Sequence, residues 1–316
     1  MRRLHQDMDK HLLHKKKGML IDKMARDFLS REENERLESI SVLQEKYDVS
    51  RGTVQNALNY LKEIGAVRLI SKGHLGTFFE YIDYQVLQKC LWKNTISGMM
   101  PLPYSKLYEG LATALYHSFK DHELRLNIAY SRGAASRMEA VVGGSYDFAI
   151  CSKYAAIAAI ENGEEIEIAL DFGYQSYLSE HVIVFNKDSE VGITDGLRMG
   201  IDVHSYDQKS LTHEIIKNSG KEIELINLPS HQIVQATQHG IVDAGIWNLD
   251  EIEEKGHADL QLMKIPKHAF ESYSNAVIII KKHNTLIKSI LTQYLSISHI
   301  RDLQLKVKNN MLIPSY

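Results

Sequence analysis

Ser50-Arg51-Gly52-Thr53-Val54-Gln55-Asn56-Ala57-Leu58 decides the fold of the front of this chain. The polar turn Asp48-Val49-Ser50 opens a helix whose inward positions are Val54, Leu58 and Leu61, with Ala57 small where another helix must pass closely. Arg51, Gln55, Asn56 and Asn59 fall on the outward side, a face rich in hydrogen-bonding groups and poor in carboxylates. Such a helix needs a partner. Residues 41–47 supply one, with Ser41 and Gln44 spaced as a capping box and Leu43 pointing inward. Two short helices joined by a tight turn form a helix-turn-helix, whose second helix can enter a major groove.

Working outward, Gly65 stops the second helix, as a residue tolerant of positive φ does beyond a C-cap. Val67-Arg68-Leu69-Ile70 and Thr77-Phe78-Phe79-Glu80-Tyr81 read as strands, with Lys72-Gly73-His74-Leu75-Gly76 as the hairpin tip between them. This tip makes a wing, with Arg68, Lys72 and His74 placed for phosphates. The expectation is a winged helix over residues 15–81 that contacts double-stranded DNA.

Val49-Ser50-Arg51-Gly52-Thr53-Val54-Gln55-Asn56-Ala57-Leu58 resembles the GntR-type winged-helix transcription factors, whose pattern runs Val-Ser-Arg-x-Thr-Val, a polar residue, x, Ala-Leu. The resemblance implies DNA contacts from Ser50, Arg51, Thr53 and Gln55 and places Gly76 at the wing glycine. Asn56 is added from the helix face. The family usually has Arg where Gln55 stands. Gln reads adenine bidentately whereas Arg prefers guanine, so the operator sequence is not transferable.

At 316 residues the chain is too long for a winged helix alone. Residues 1–80 hold 15 Lys+Arg against 12 Asp+Glu, and the remainder holds 22 against 28. A mildly basic front on an acidic body fits a sequence reader joined to a different domain. Two cysteines, Cys90 and Cys151, support neither a disulfide framework nor a zinc site. The first residues are charged rather than apolar, and no apolar run approaches the roughly 20 residues that span a bilayer. The expected compartment is therefore the cytoplasm, with no membrane partner. Residues 82–97 form an amphipathic stretch with Val86, Leu87, Cys90 and Leu91 on one stripe and Trp92 beside it. This is a linker helix, part of a subunit interface, or a helix packed on the body.

From about residue 96 strands and helices alternate. Leu124–Tyr130, Tyr146–Cys151, Ile166–Asp171, Val182–Phe185, Leu197–Asp202, Glu222–Ile226, Asp243–Trp247 and Ala276–Ile280 read as strands. Repeated βα units predict parallel sheets with helices on both faces and ligands beyond the strands' carboxyl ends. Gly144-Ser145-Tyr146-Asp147-Phe148-Ala149-Ile150 and Gly240-Ile241-Val242-Asp243-Ala244-Gly245-Ile246 share a form: helix end, glycine, acid, apolar strand.

This order resembles the type II periplasmic-binding-protein fold, in which two lobes face each other across a cleft. The resemblance implies an α/β body over residues 98–316, with lobe one at 98–184 plus 272–316 and lobe two at 187–270. Val182–Phe185 and Ala276–Ile280 would be the crossings. Met100-Pro101-Leu102-Pro103-Tyr104-Ser105 and Tyr108-Glu109-Gly110-Leu111-Ala112-Thr113 also resemble the YhfZ-like transcriptional regulators, which join a GntR-type winged helix to such a domain.

Polar residues at strand ends are the candidate ligand groups. Tyr104 and Ser105 precede a helix at about 106–119. Ser131-Arg132-Gly133 links a strand to a helix whose N-terminus favours negative charge, and Arg132 adds a bidentate hold on carboxylate or phosphate. Gly133 lets the backbone come close. Ser152 and Lys153 follow the next strand, Tyr177 and His181 sit near the first crossing, and Ser205, Asp207 and Gln208 open a helix of lobe two. Trp247 and Asn248 end that lobe's last strand. Several of these serines also suit plain helix capping.

Two cationic candidates, Arg132 and Lys153, predict a small anionic effector. Sequence signatures of catalysis are lacking: His213-Glu214 has no second histidine four residues on, and neither a phosphate loop nor a Gly-x-Ser-x-Gly elbow occurs. No catalytic residue, metal or cofactor is assigned. The expectation is a ligand-responsive regulator, a homodimer on a double-stranded operator with a small-molecule effector. The alternatives are an enzyme on a binding-protein-like fold with an accessory winged helix, and a solute-binding protein.

Overall fold

The computed structural model describes residues 20–91, 95–120, 122, 124–257, 259–265 and 271–316. Trp92 lies outside them. The chain divides into two compact units, one running to Ile96 and taking in His122–Arg125, the other holding the rest.

The first unit follows the order α1 (residues 20–28), β1 (Arg36–Leu37), α2 (Ile40–Tyr47), α3 (Arg51–Glu63), β2 (Val67–Ser71), β3 (Thr77–Ile82), α4 (Tyr84–Lys89). The three strands form an antiparallel sheet in the order β1-β3-β2. This is the helix-turn-helix with a wing. Val54, Ala57, Leu58 and Leu61 are buried on α3, Leu43 and Tyr47 on α2. Each fully buried Leu or Val contributes roughly 1.5–3 kcal/mol. Phe28 of α1 meets Phe79 of β3 edge-on at 5.0 Å, closing the core. The capping box read at Ser41 and Gln44 does not form. The cap of α2 is Ser39, whose Oγ accepts from Val42 N–H at 3.4 Å, while Ser41 lies inside the helix and meets Ser39 Oγ at 3.0 Å. Gly65, at φ +76, does end α3.

The second unit runs β4 (Thr95–Met100), α5 (Lys106–Phe119), β5 (Arg125–Tyr130), α6 (Ala134–Val142), β6 (Phe148–Ser152), α7 (Lys153–Glu161), β7 (Ile166–Asp171), β8 (His181–Asn186), β9 (Arg198–Ile201), α8 (Tyr206–Ser219), β10 (Glu224–Asn227), α9 (Ile233–Gln238), β11 (Ala244–Asn248), α10 (Leu249–Lys255), β12 (Leu260–Lys264), α11 (Glu271–Ser274), β13 (Ala276–Lys281), α12 (Thr285–Tyr294) and α13 (Ile297–Lys308). Two five-stranded sheets form, β5-β4-β6-β13-β7 and β10-β9-β11-β8-β12. They are the cores of two lobes in a fold like that of the type II periplasmic binding proteins.

The sheets are mixed rather than parallel. β13 runs antiparallel to β6 and β7, and β8 antiparallel to β11 and β12. Each reversed strand is the first one a lobe receives after the chain crosses from the other lobe. β8, read from sequence as the end of lobe one, hydrogen-bonds wholly within the second sheet, so the crossings are the segments before β8 and before β13. The C-terminal helix α13 returns to pack on α5, where Gly110 lets the backbone of Gln304 come close. No helix among the described residues is long and apolar enough to cross a membrane.

Candidate functional site

Two separate places collect the residues singled out above. On the first unit, α3 exposes Arg51, Gly52, Gln55, Asn56, Asn59 and Tyr60. Ser50 caps the helix: its Oγ accepts from Thr53 N–H at 3.3 Å and lies 2.7 Å from Thr53 Oγ1. The cap fixes the first turn, so Arg51, Gln55 and Asn56 project from a rigid rod. In the wing, Lys72 N–H donates to Gly76 C=O at 2.8 Å and closes the tip. Gly76 has φ +99, and a Cβ there would stand 2.8 Å from Arg36 Nε, so glycine is required on two counts. Arg68 lies 4.7 Å from the Tyr81 ring and 3.8 Å from Glu80, and Lys72 lies 4.6 Å from the Phe78 ring. His74 is exposed at the tip. Amide and guanidinium groups on an exposed helix face have the donor and acceptor pattern that reads base edges.

In the second unit a cavity of about 590 Å³ opens between the lobes, at the carboxyl ends of the parallel strands. Its lobe-one wall is the loop from β5 into α6 and the segment before α5. Arg132 Nε donates to Tyr104 Oη at 2.9 Å, which orients the guanidinium; Arg132 forms no ion pair with any described residue. Gly133, at φ +73, precedes α6 without a side-chain cap, leaving that helix's first N–H groups free of one. Arg137, deep in the wall and 2 % exposed, donates to Ile150 C=O at 2.9 Å, to Ser131 C=O at 2.8 Å and to Tyr177 Oη at 3.3 Å. Its hydrogen-bond partners are neutral oxygens, and it forms no ion pair with a described carboxylate, although its charge is felt by Asp207. Tyr108 packs edge-on against Tyr177 at 5.1 Å.

The lobe-two wall is built on the start of α8 and the end of β11. Ser205 caps α8, its Oγ accepting from Gln208 N–H at 3.4 Å. Asp207 opens onto the cavity but is otherwise enclosed. Its Oδ1 accepts from Ser152 Oγ at 2.7 Å, and Oδ2 has no partner among the described residues. Burial pushes its carboxyl up to about 6, against the opposing pull of the Ser152 hydroxyl and of Arg137. His181 is buried and held down at about 4 by desolvation, so its imidazole is neutral. Asn248 caps α10, accepting from Asp250 N–H at 2.9 Å.

Of the ligand residues expected from sequence, Tyr104, Arg132, Gly133, Tyr177, His181, Ser205, Asp207, Gln208, Trp247 and Asn248 line this cavity. Three do not. Ser105 is buried as the cap of α5. Ser152 caps α7 while holding Asp207. Lys153 turns to Asp171, with Nζ 2.8 Å from its carboxylate. The second cation of the wall is therefore Arg137, which sequence reasoning missed because an arginine inside a helix carries no local sign of burial. Asp202 and Glu251 also line the cavity, but both are engaged: Asp202 by Ser230 and His204 N–H, Glu251 by Lys255. Tyr108 falls within a stretch already singled out and His204 precedes Ser205, so their neighbours were the available signal.

Comparison with known proteins agrees with this architecture. Residues 83–316 match the family described as the YhfZ C-terminal domain, and residues 32–79 match a helix-turn-helix domain. The YhfZ protein of Escherichia coli strain K12 is 30% identical over 309 residues, covering 96% of this chain and 98% of that protein. The crystal structure of YhfZ from Shigella flexneri superposes with a TM-score of 0.61 at 29% identity, covering 73% of this chain and 97% of that one. The periplasmic aliphatic sulphonate binding protein SsuA from Escherichia coli superposes with a TM-score of 0.53 at 13% identity over 69% of this chain and 75% of its own. That last likeness speaks for the fold alone.

Proposed function

The chain belongs to the YhfZ family, and on that premise we propose that it is a ligand-responsive, DNA-binding transcription regulator. The observation that carries the reading is the outward set Arg51, Gln55 and Asn56 on a capped, exposed helix, in the same chain as a cleft whose Arg132 and Arg137 form no ion pair with a described carboxylate. α3 enters the major groove and reads bases through Gln55 and Asn56, while Arg51, Arg68, Lys72 and His74 neutralise phosphates. The GntR-type pattern around Ser50–Leu58 supports this docking. A homodimer would set two α3 helices on half-sites one helical turn apart. The effector occupies the interlobe cleft and shifts operator affinity only to the extent that it binds one lobe arrangement more tightly than another.

A second reading, an enzyme with an accessory winged helix, draws on Asp207, since a carboxyl held near 6 inside a cleft is what acid–base chemistry uses. Against it, the nearest hydroxyl, that of Ser152, already serves as a helix cap and donates to Asp207. No cluster of His, Cys, Asp and Glu suited to a metal occurs among the described residues.

The test is operator affinity with and without small-molecule extract from the source cell. A regulator binds a selected genomic duplex with an affinity that the extract changes and leaves the extract's composition intact. Turnover of an extract component without specific DNA binding selects the enzyme instead.

A further inference from the structure

We propose that the interlobe cavity takes a small zwitterion, its anionic group held by Arg132 at the head of α6 and its protonated amine by Asp207 at the head of α8. This rests on the effector-binding reading and names the ligand class of that same site.

The two walls carry opposite charges. On lobe one, the Arg132 guanidinium is aimed by Tyr104 Oη and keeps its terminal nitrogens for a bidentate anion. Behind it stands Arg137, anchored by two carbonyls and a phenol and by no carboxylate. On lobe two, Asp207 faces the cavity with Oδ2 unpartnered and no ion pair to any described lysine or arginine. The other wall carboxylates are taken, Asp202 by Ser230 and Glu251 by Lys255. A plain anion satisfies lobe one and meets the Asp207 charge. A plain cation does the reverse. A molecule with both charges is stabilised at both ends.

A second, independent observation points to a polar guest. Three side chains of the lining are at least nine-tenths buried and each keeps one polar atom without a partner: His181 Nδ1, Gln208 Oε1 and Trp247 Nε1. Buried orphans of this kind are uncommon. The three residues border one cavity while those atoms are themselves covered, so a ligand with its own donors and acceptors satisfies them once the side chains shift. The volume, about 590 Å³, is in the ordinary range for small-molecule sites.

The charge state of Asp207 gives the proposal a pH signature. The groups acting on it from the neighbouring elements are Arg137, which stays charged, and Cys151, Tyr108, Tyr177 and Tyr273, all pushed up by burial and neutral near pH 6. Of these groups Asp207 is the one that titrates there; His204 and His231 also line the cavity, so the share of Asp207 is the part of the pH dependence that Asp207→Asn removes. An amine beside it draws the carboxyl below its free value of about 6, so zwitterion binding weakens on acidification. An anion lacking the amine gains instead, because protonation removes the repulsion.

The experiment is calorimetric titration of the full chain at pH 7.5 and pH 5. The probes are α-amino acids and aminoalkylphosphonates, each beside its amine-free acid and its acid-free amine. The carboxylate and phosphonate arms distinguish the two sources of the anionic group. The expected result is a zwitterion that binds about tenfold or more tightly than either single-charge analogue. Its affinity should fall by up to about tenfold per pH unit below 6. Asp207→Asn, near-isosteric, should bring the zwitterion level with its amine-free acid; Arg132→Ala, at an exposed side chain, should weaken both, with far-UV circular dichroism confirming the fold. Equal binding of zwitterion and amine-free acid to the wild-type chain at pH 7.5 overturns the zwitterion assignment and leaves the effector reading in place. No binding by any of the three classes overturns both.

Discussion

Ser152 Oγ donates to Asp207 Oδ1 across 2.7 Å, and this bond ties the head of α7 in lobe one to the head of α8 in lobe two. The same oxygen accepts from Ala155 N–H at 3.0 Å, so one serine both caps a helix and fastens the lobes. Beside it Tyr154 Oη meets Ser210 Oγ at 2.6 Å, Tyr273 Oη reaches the same hydroxyl at 3.0 Å, and the two rings stack at 4.2 Å. The lobes are thereby joined by hydrogen bonds that must rearrange if they part.

Ser152→Ala removes the cap and the link together. The expected loss is about 1–2 kcal/mol of stability by urea unfolding. The Asp207 carboxyl, deprived of a donor to its charged form, should titrate above about 6 in a carbon-detected NMR titration. An unchanged titration would mean that the Ser152 bond has no hold on the carboxylate.

Asp207 and His181 pull the pH dependence of stability in opposite directions. The Asp207 carboxyl is raised in the folded chain, so its contribution is fully present below the unfolded value near 4 and lost as pH rises through about 6. His181 is lowered to about 4, so the folded state is penalised as pH falls from about 6.5 through 4. The two offset each other over much of that interval. Asp207→Asn, which fixes the neutral form, should exceed the wild type at pH 7.5 by on the order of 2 kcal/mol and lose that advantage by pH 4. Thermal unfolding of both proteins across this range measures the crossover.

Gly110 of α5 faces the backbone of α13: an added Cβ would stand 2.8 Å from Gln304 C=O and 2.9 Å from its Cα. Gln304 is itself fixed, its amide donating to Leu107 C=O at 2.8 Å and to Ser176 C=O at 2.7 Å. Gly110→Ala should destabilise the body by roughly 1–3 kcal/mol, although alanine favours helix elsewhere. Calorimetric melting would show it, and a rise in Tm would mean that the two helices separate freely.

Arg51→Ala and Gln55→Ala remove exposed side chains that no buried neighbour needs. Each should leave melting within about 0.5 kcal/mol of wild type. Gln55→Ala should cost roughly 1–3 kcal/mol of operator affinity and relax the base preference at one position, whereas Arg51→Ala should also flatten the salt dependence. Fluorescence anisotropy across a salt series separates the two effects.

The helix-turn-helix was legible because its 3.6-residue apolar period, from Val54 to Leu61, is also its packing face. Strand positions in the body were legible for the same local reason, but strand partners were not. Nothing in Val182–Phe185 says that it pairs with Trp247–Ala244 rather than with lobe one. β4 went unread because Gly98 and its neighbours look like a loop. Its glycine is explained by Phe148, whose ring occupies the space a Cβ would need, 2.2 Å away. In the cleft, Arg132 stood out beside a glycine at a helix start. Arg137 did not, because its burial depends on Ile150, Ser131 and Tyr177, all remote from its own turn of helix.

The most direct check is selection of genomic fragments by the wild-type chain and by the Arg51→Ala, Gln55→Ala double variant, followed by footprinting. The wild type is expected to enrich and protect a two-fold symmetric site, and the equally folded double variant to enrich none. Equal enrichment by both proteins, or a protected site that survives the double substitution, would contradict the assignment of α3 as the DNA-reading helix.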